Sequence, residues 1–324
     1  MEKNQLSIIV PMHNGSDYIE ECLNGILSQT VKNLEVILVD DCSTDDTLKK
    51  AERYPFRVIS LKKRTRVSHA RNYGAKNSRG KILIFVDADV VLPPDAIQRL
   101  ISALSKPNTD AVSGIYYEDI PQDNFFSQFI NLFVIFRYTK PPEFITFIFN
   151  CFCAIKREAF EAVGGYNENI AYYEDVEIGH KLTNKGFYCR LDPDIKVIHV
   201  KYYSHLSLLL GYFRKAVFGG AYYRDIGSLN ALKDDTLPLS IKVASVSAML
   251  MLISLVLAKI SLLCFLLFLG VYSISLLPLL FYLIRTRNLI FALKSFFFCF
   301  EFFLVCQFGF IWGLLIGEKR WLIY

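Results

Sequence analysis

The chain has 324 residues, of which 53% are hydrophobic, with a mean hydropathy of +0.31 and a formal net charge of +5. The apolar excess excludes a wholly soluble protein, and so small a positive charge gives no reason to expect nucleic acid as a partner. The excess is uneven: residues 1–235 read as ordinary globular sequence, whereas 239–316 are almost continuously apolar, broken chiefly by Lys259, Arg285, Arg287, Lys294 and Glu301. This second part belongs in lipid.

The start, MEKNQLSIIVP, passes from polar residues into a short strand without the apolar run of a signal peptide. The first domain is therefore expected to stay on the cytoplasmic side. Eight cysteines are scattered at 22, 42, 151, 153, 189, 264, 299 and 306 with no metal-type Cys-x-x-Cys pair, which fits reduced thiols. Lys196, Lys201, Arg214, Lys215, Arg224 and Lys233 gather near the apolar tail, where anionic lipid headgroups suit them.

In chain order, LSIIVP reads as a strand, and a helix follows with Ser16 or Asp17 as its cap. Ile19, Cys22, Leu23, Ile26 and Leu27 fall on one helical face before the second strand, LEVILVDD. Residues 43–46, Ser-Thr-Asp-Asp, make a capping-box-like start for a helix to about Tyr54. The strand RVISL, a helix near 68–78 and the strand KILIFVDADVV at 81–91 complete the series. Strands alternating with helices in units of this length predict an α/β fold, with a mostly parallel sheet whose ligand crevice lies beyond the strand C-termini.

Four carboxylates, Asp40, Asp41, Asp87 and Asp89, fall at that edge. Strand residues alternate faces, so Asp87 and Asp89 project together and can share a divalent cation while Ala88 points away. An Asp-x-Asp alone equally suits the cap of a following helix. Four carboxylates at one edge repel one another unless a cation or donors compensate them, which a metal–nucleotide site would do. Neither GxGxxG nor a Walker loop is present, so phosphates are expected to meet metal and side chains. Among the donors, Arg71 in SHARNYGA is favoured, and Lys62-Lys63-Arg64 reads as a solvated cluster.

Further on, Glu174 and Asp175 open a helix, EDVEIGHKLTNKG, with Gly186 as its C-cap, and a helix N-terminus favours ionised carboxylates. They serve either as a simple cap or as catalytic groups. The strand IKVIHV carries His199, which is either a satisfied core residue or a metal ligand.

Taken together, IIVPMHN, VILVDDCSTDDT, ARNYGAKNSRGKILIFVDADVVLPPD, GGYNE at 164–168 and YYEDVEIGHKL at 172–182 resemble glycosyltransferase family 2, in order, over nearly all of residues 5–200. The resemblance implies a Rossmann-like GT-A fold. It implies a nucleotide site at Pro11, His13, Asn14, Asp40, Asp41, Arg71, Asp87 and Ala88. It also implies a divalent metal, Mg²⁺ or Mn²⁺, held by Asp87 and Asp89 with His199 as third ligand. Asp175 becomes the general base of an inverting displacement, and the glycines of GGYNE serve a sharp turn. His13 departs from the family's usual Tyr. The family's Gln-x-x-Arg-Trp signature of processive synthases is missing after Glu-Asp, which favours transfer of a single sugar.

Residues 123–149 are dense in aromatics and read either as an ordinary core helix or as an element at the membrane interface. Residues 205–225 read as an interfacial helix, with Arg214, Lys215 and Arg224 among Leu, Tyr and Phe. The tail offers spans at about 239–258, 260–284 and 289–316, so two or three crossings. The positive-inside rule suits Arg285 and Arg287 but not Lys319 and Arg320 if there are three.

The expected organisation is a GT-A domain at 1–200, an interfacial linker at 201–237 and a transmembrane region at 238–324. The expected protein is a multi-pass cell-membrane enzyme moving sugar from a UDP- or GDP-sugar to a lipid-linked acceptor. The nearest alternative is a polyprenyl-phosphate sugar synthase. A silent assembly subunit would be expected to have lost Asp87, Asp89 or Asp175, and all three are present.

Overall fold

The computed structural model describes residues 5–226, 237–256 and 262–316. It divides into two compact units, one built from the described residues of Met1–Gln122 and Tyr138–Tyr202, the other from those of Asp123–Arg137 and Tyr203–Tyr324.

The first unit is an eight-stranded sheet with helices packed on it. Its parallel half comprises β1 (Leu6–Met12), β2 (Glu35–Asp40), β3 (Arg57–Ser60) and β4 (Ile82–Val86), in the order β3-β2-β1-β4. All seven residues of β1 are buried, as an apolar run must be when helices cover both sheet faces. Crossovers are made by α1 (Ile19–Leu27), α2 (Thr47–Ala51) and α3 (Val67–Lys76). The sheet continues beyond β4 through β7 (Phe152–Lys156), antiparallel to β4, and β6 (Ala111–Tyr116), antiparallel to β7, to β8 (Cys189–His199), parallel to β6. The short β5 (Val90–Val91) pairs antiparallel with the end of β8, Val90 opposite His199. Two reversals therefore bring the C-terminal ends of β6 and β8, with Tyr116 and His199, to the same edge as the tip of β4. The sheet is mixed, and mostly parallel in the half that leads to the Asp-x-Asp.

Around it lie α4 (Ala96–Leu104), α6 (Arg157–Ala162) and α7 (Glu174–Asn184). Helix bounds differ modestly from the sequence expectation. α1 begins at Ile19, because the Ser16 amide is given to Asp45 and the Gly15 carbonyl accepts from the Tyr18 and Ile19 amides. α2 ends at Ala51, short of Tyr54, and α3 starts at Val67. Gly164 and Gly165, at φ +74 and +68, make the turn anticipated for GGYNE.

The second unit is wholly helical, with α5 (Phe125–Arg137), α8 (His205–Ile226), α9 (Leu239–Val256), α10 (Leu262–Thr286) and α11 (Leu289–Ile316). Here α5 resolves as a core helix: Phe125, Phe129 and Phe133 pack against Phe291, Phe298, Phe302 and Phe303 of α11. The segment 123–137, expected inside the 1–200 domain, is thus grouped with the helices. α8 and α11 run side by side at backbone contact, because Gly220, Gly309 and Gly313 leave no side chain between them. A Cβ on Gly220 would lie 2.1 Å from the Phe310 carbonyl, and the Gly309-x-x-x-Gly313 spacing suits helix pairing in an apolar medium. α8 is therefore a packed helix, with Arg214, Lys215 and Arg224 at its exposed positions.

α10 and α11 are long and apolar enough to cross a membrane, and α9 is shorter. Glu301 meets His205 at 2.9 Å and Arg287 donates to Gln128, so two of the charges that interrupt the apolar tail have protein partners. Lys233, Lys259, Lys319 and Arg320 lie outside the described residues.

Candidate active site

The carboxyl edge of the sheet is built by two loop systems. In the first, the turn after β1 is laced to the loop after β2. Asn14, at φ +48, accepts from the Thr44 amide through Oδ1, and the Gly15 amide donates to Thr47 Oγ1. Asp45 accepts from the Ser16 and Thr47 amides and from Thr47 Oγ1. Burial works against its ionised form, but those hydrogen bonds outweigh it and lower its pKa to about 2.

Asp40 is 1% exposed and accepts long hydrogen bonds from the Ser43 amide and Ser60 Oγ. Asp41 is 4% exposed, and its two oxygens take the Thr65 amide at 2.6 Å, Thr65 Oγ1 at 2.9 Å and the Arg66 amide at 2.7 Å. Asp41 thereby ties down the loop before α3. Pro11 is buried inside β1, and His13 follows that strand with a buried Nδ1 that has no hydrogen-bond partner among the described residues.

The second system carries the Asp-x-Asp. The Asp87 amide donates to the Cys151 carbonyl, Ala88 is buried, and the Asp89 carbonyl accepts from the Val200 amide. The β5–β8 pairing sets the Asp89 carboxylate beside His199, with Oδ2 to Nε2 at 3.8 Å, and Lys201 Nζ stands 3.5 Å from the same oxygen. Tyr116 stacks on the His199 ring at 4.5 Å and fixes its plane. Asp87 turns the other way, to Arg71 at 2.7 Å. The two carboxyls are accordingly pushed apart in pKa. Burial raises Asp87 despite Arg71, whereas at Asp89 burial is outweighed by His199 and Lys201, which hold it below the usual carboxylate range.

Arg71 is 2% exposed. One of its terminal nitrogens meets Asp87, the other meets Glu174 at 3.1 Å, and the guanidinium lies over the Tyr166 ring at 5.3 Å. The direct phosphate contact expected of Arg71 is not what this placement offers: both ends of the fork are committed to protein carboxylates. Its helix is locked to the GGYNE turn, since Asn72 exchanges hydrogen bonds with the Tyr166 backbone and His69 meets Glu168 at 2.7 Å.

Glu174 and Asp175 open α7 after Tyr173, a non-glycine residue held at φ +69. The Asp175 carbonyl accepts from the Ile148 amide, and its Oδ1 accepts from the Val176 amide. Gly179 makes this seating possible, because a Cβ there would lie 2.2 Å from the Phe147 Cα.

Among the described residues, no group of three or more His, Cys, Asp or Glu side chains is gathered as a metal cage. Asp89 and His199 nonetheless fit a divalent ion that takes its remaining ligands from a diphosphate: two ligands each about 2.1 Å from one cation lie about 3–4 Å apart. Asp87, named with them from sequence, is engaged by Arg71 instead.

Residues 7–164 match the profile described as glycosyl transferase family 2. Residues 7–164 form a family 2 glycosyltransferase domain. A Rickettsia prowazekii protein named as an uncharacterised glycosyltransferase is 31% identical over 188 residues, 54% of this chain and 58% of the relative. The glycosyltransferase GlyG of Streptococcus pneumoniae serotype 4 is 32% identical over 127 residues, 37% of this chain and 42% of the relative. The chain thus spans under two thirds of the length of these relatives.

Among solved structures, the mannosyltransferase PcManGT of Pyrobaculum calidifontis, in complex with GDP-Man and Mn²⁺, superposes with a TM-score of 0.65 at 20% identity. That likeness covers 96% of this chain and 88% of that one. It shares the GT-A-like fold.

Several site residues were missed in the sequence of this family 2 domain. The sequence groups Lys196 and Lys201 with the cations suited to lipid headgroups, whereas Lys196 pairs with Glu118 at 2.9 Å and Lys201 with Asp89. Lys201 follows His199 by two residues, so strand alternation was an available signal. The Tyr116 stack and the Arg71–Glu174 pair join residues 83 and 103 positions apart, and no local pattern announces them.

Proposed function

We propose that this protein is an inverting, metal-dependent glycosyltransferase that moves one sugar from a UDP- or GDP-sugar to a lipid-linked acceptor at the cytoplasmic face of a membrane. The observation that carries this reading is Asp89 set against His199 at the end of the same strand system whose Asp87 is joined through Arg71 to Glu174, beside Asp175. Donor-side and acceptor-side groups thus share one edge of the sheet.

Asp89 and His199 would hold a divalent ion, Mg²⁺ or Mn²⁺, which supplies Lewis-acid neutralisation of the charge developing on the leaving diphosphate. The GDP-Man and Mn²⁺ bound by the fold neighbour accord with such a donor. His13 and Asn14, on the turn tied to the β2 loop, border the nucleotide side, with Pro11, Asp40, Asp41 and Ala88 as buried scaffold beneath. Asp175 accepts the proton of the acceptor hydroxyl. As the new bond forms at the anomeric carbon, the bond to the donor phosphate oxygen breaks, and a single displacement inverts that carbon. The Val176 amide, donating to Oδ1, fixes the orientation of that carboxylate.

The helical unit accounts for the lipid side. α10 and α11 supply the apolar length of a two-span anchor, and Arg214, Lys215 and Arg224 on the exposed side of α8 suit lipid phosphates. The domain reading becomes a GT-A unit, into whose sequence α5 is inserted, followed by a membrane bundle.

The test is nucleoside diphosphate release by protein in lipid, with UDP- and GDP-sugars, Mn²⁺ or Mg²⁺, and polyprenyl phosphate or a lipid extract. Release that needs both metal and lipid, and is lost in Asp175→Asn, supports the reading. Release with bare polyprenyl phosphate alone would favour the lipid-phosphate acceptor. Donor hydrolysis indifferent to Asp175→Asn would remove the proposed base.

A further inference from the structure

Arg71 is among the largest fully buried side chains of the described residues, and it is a charged one. Its guanidinium is shared between Asp87 at 2.7 Å, 32% exposed, and Glu174 at 3.1 Å, 16% exposed, while its Nε is buried with no hydrogen-bond partner among the described residues. A fork placed only for stability would satisfy that third donor; this one is aimed at two carboxylates on separate elements. Glu174 begins α7 directly after strained Tyr173, so whatever moves Glu174 moves the backbone that carries Asp175.

We infer that Arg71 is a positioning residue that transmits occupancy of the donor site to the N-terminus of α7 through Glu174. The inference rests on the donor site proposed above. A donor hydroxyl drawing on Asp87 competes with Arg71 for that carboxylate. The guanidinium then leans on Glu174 and holds the first turn of α7 in place. Such coupling needs one bistable contact rather than a chain of them, and the shared fork is that contact. It would hold the acceptor-side base more firmly when a donor is bound, which limits the loss of donor sugar to water.

The test is hydrogen exchange at the α7 amides, residues 175–179, in the full-length protein with and without Mn²⁺ and UDP or GDP, alongside nucleotide binding by calorimetry. In the unaltered protein, nucleotide binds and slows exchange at these amides several-fold. Glu174→Gln, which keeps the shape and loses the charge, is expected to bind nucleotide within about threefold of the original while the slowing disappears. Arg71→Lys, which keeps charge but not the fork, gives the same loss of slowing and serves if Glu174→Gln does not fold. Slowing that survives in either variant overturns the inference, as does nucleotide binding to the unaltered protein with no change in α7. Loss of binding in folded Glu174→Gln also overturns it, by placing Glu174 in the nucleotide site. If neither nucleotide binds the unaltered protein with Mn²⁺, the donor reading fails first and takes this inference with it.

Discussion

Asp41 and Asp89 both follow parallel strands at one edge of one sheet, and each is largely buried, but the company they keep differs in kind. Asp41 is saturated by neutral donors fixed to a single loop, the Thr65 and Arg66 amides and the Thr65 hydroxyl. Asp89 faces two basic side chains, His199 and Lys201, at 3.8 and 3.5 Å. Amides cannot leave without unfolding the loop, so a carboxylate matched by them is scaffold. Basic side chains at such distances leave room for a metal ion, so a carboxylate matched by them can exchange its partners. The sequence places both in the same class, as acidic residues at strand ends.

The largest effect that would sharpen this contrast is at the proposed base. Asp175→Asn should lower turnover by about 10²–10⁴-fold with nucleotide affinity retained, measured as nucleotide release at saturating donor. Next, Asp89→Asn should raise the Kd for Mn²⁺ with nucleoside diphosphate by at least about tenfold, read by calorimetry; an unchanged Kd would place the metal elsewhere.

Asp41→Ala should act on the fold instead. It leaves three donors unpaired and should cost about 2–3 kcal/mol in denaturant unfolding, with nucleotide Kd per folded molecule unaltered. A shifted Kd there would break the comparison and return Asp41 to the nucleotide site. Gly179→Ala should cost about 1–3 kcal/mol, since the new Cβ would have to displace the backbone at Phe147. Because α7 must move, turnover should fall further than stability alone explains.

The smallest effect concerns Asp45, whose folded pKa of about 2 lies below its ordinary value of 3.8. A depressed carboxylate contributes stability that is present above the unfolded value and lost as pH falls through the folded one. Thermal stability should therefore fall between about pH 4 and pH 2, and Asp45→Asn should flatten that slope. A carboxyl resonance titrating near its ordinary value would refute it.

The two units differ in what their glycines do, and this too was only partly legible beforehand. In the first, Gly179 lets the helix that carries Asp175 lie against an irregular segment. In the second, Gly220, Gly309 and Gly313 let α8 and α11 touch without any chemistry. A GxxxG spacing is visible in the sequence, but its partner helix lies some ninety residues earlier. The aromatics of α5 are equally plain as letters. Whether they faced lipid or α11 depended on which helix arrived opposite them.

What the sequence determined by itself was whatever depends on neighbours along the chain. Apolar runs with helical spacing between them specify strands and crossovers, a parallel sheet sends its strand ends to one edge, and a continuous apolar tail makes long helices. Asp40, Asp41, Asp87 and Asp89 were legible there because topology alone places them. What only the tertiary structure decided was how those charges are shared out: Arg71 turned inward between Asp87 and Glu174, His199 and Lys201 brought to Asp89 by the β5–β8 pairing, and Asp41 given to a loop. Charge pairing acts over a few ångströms in space, and it joins residues that may lie a hundred positions apart in sequence.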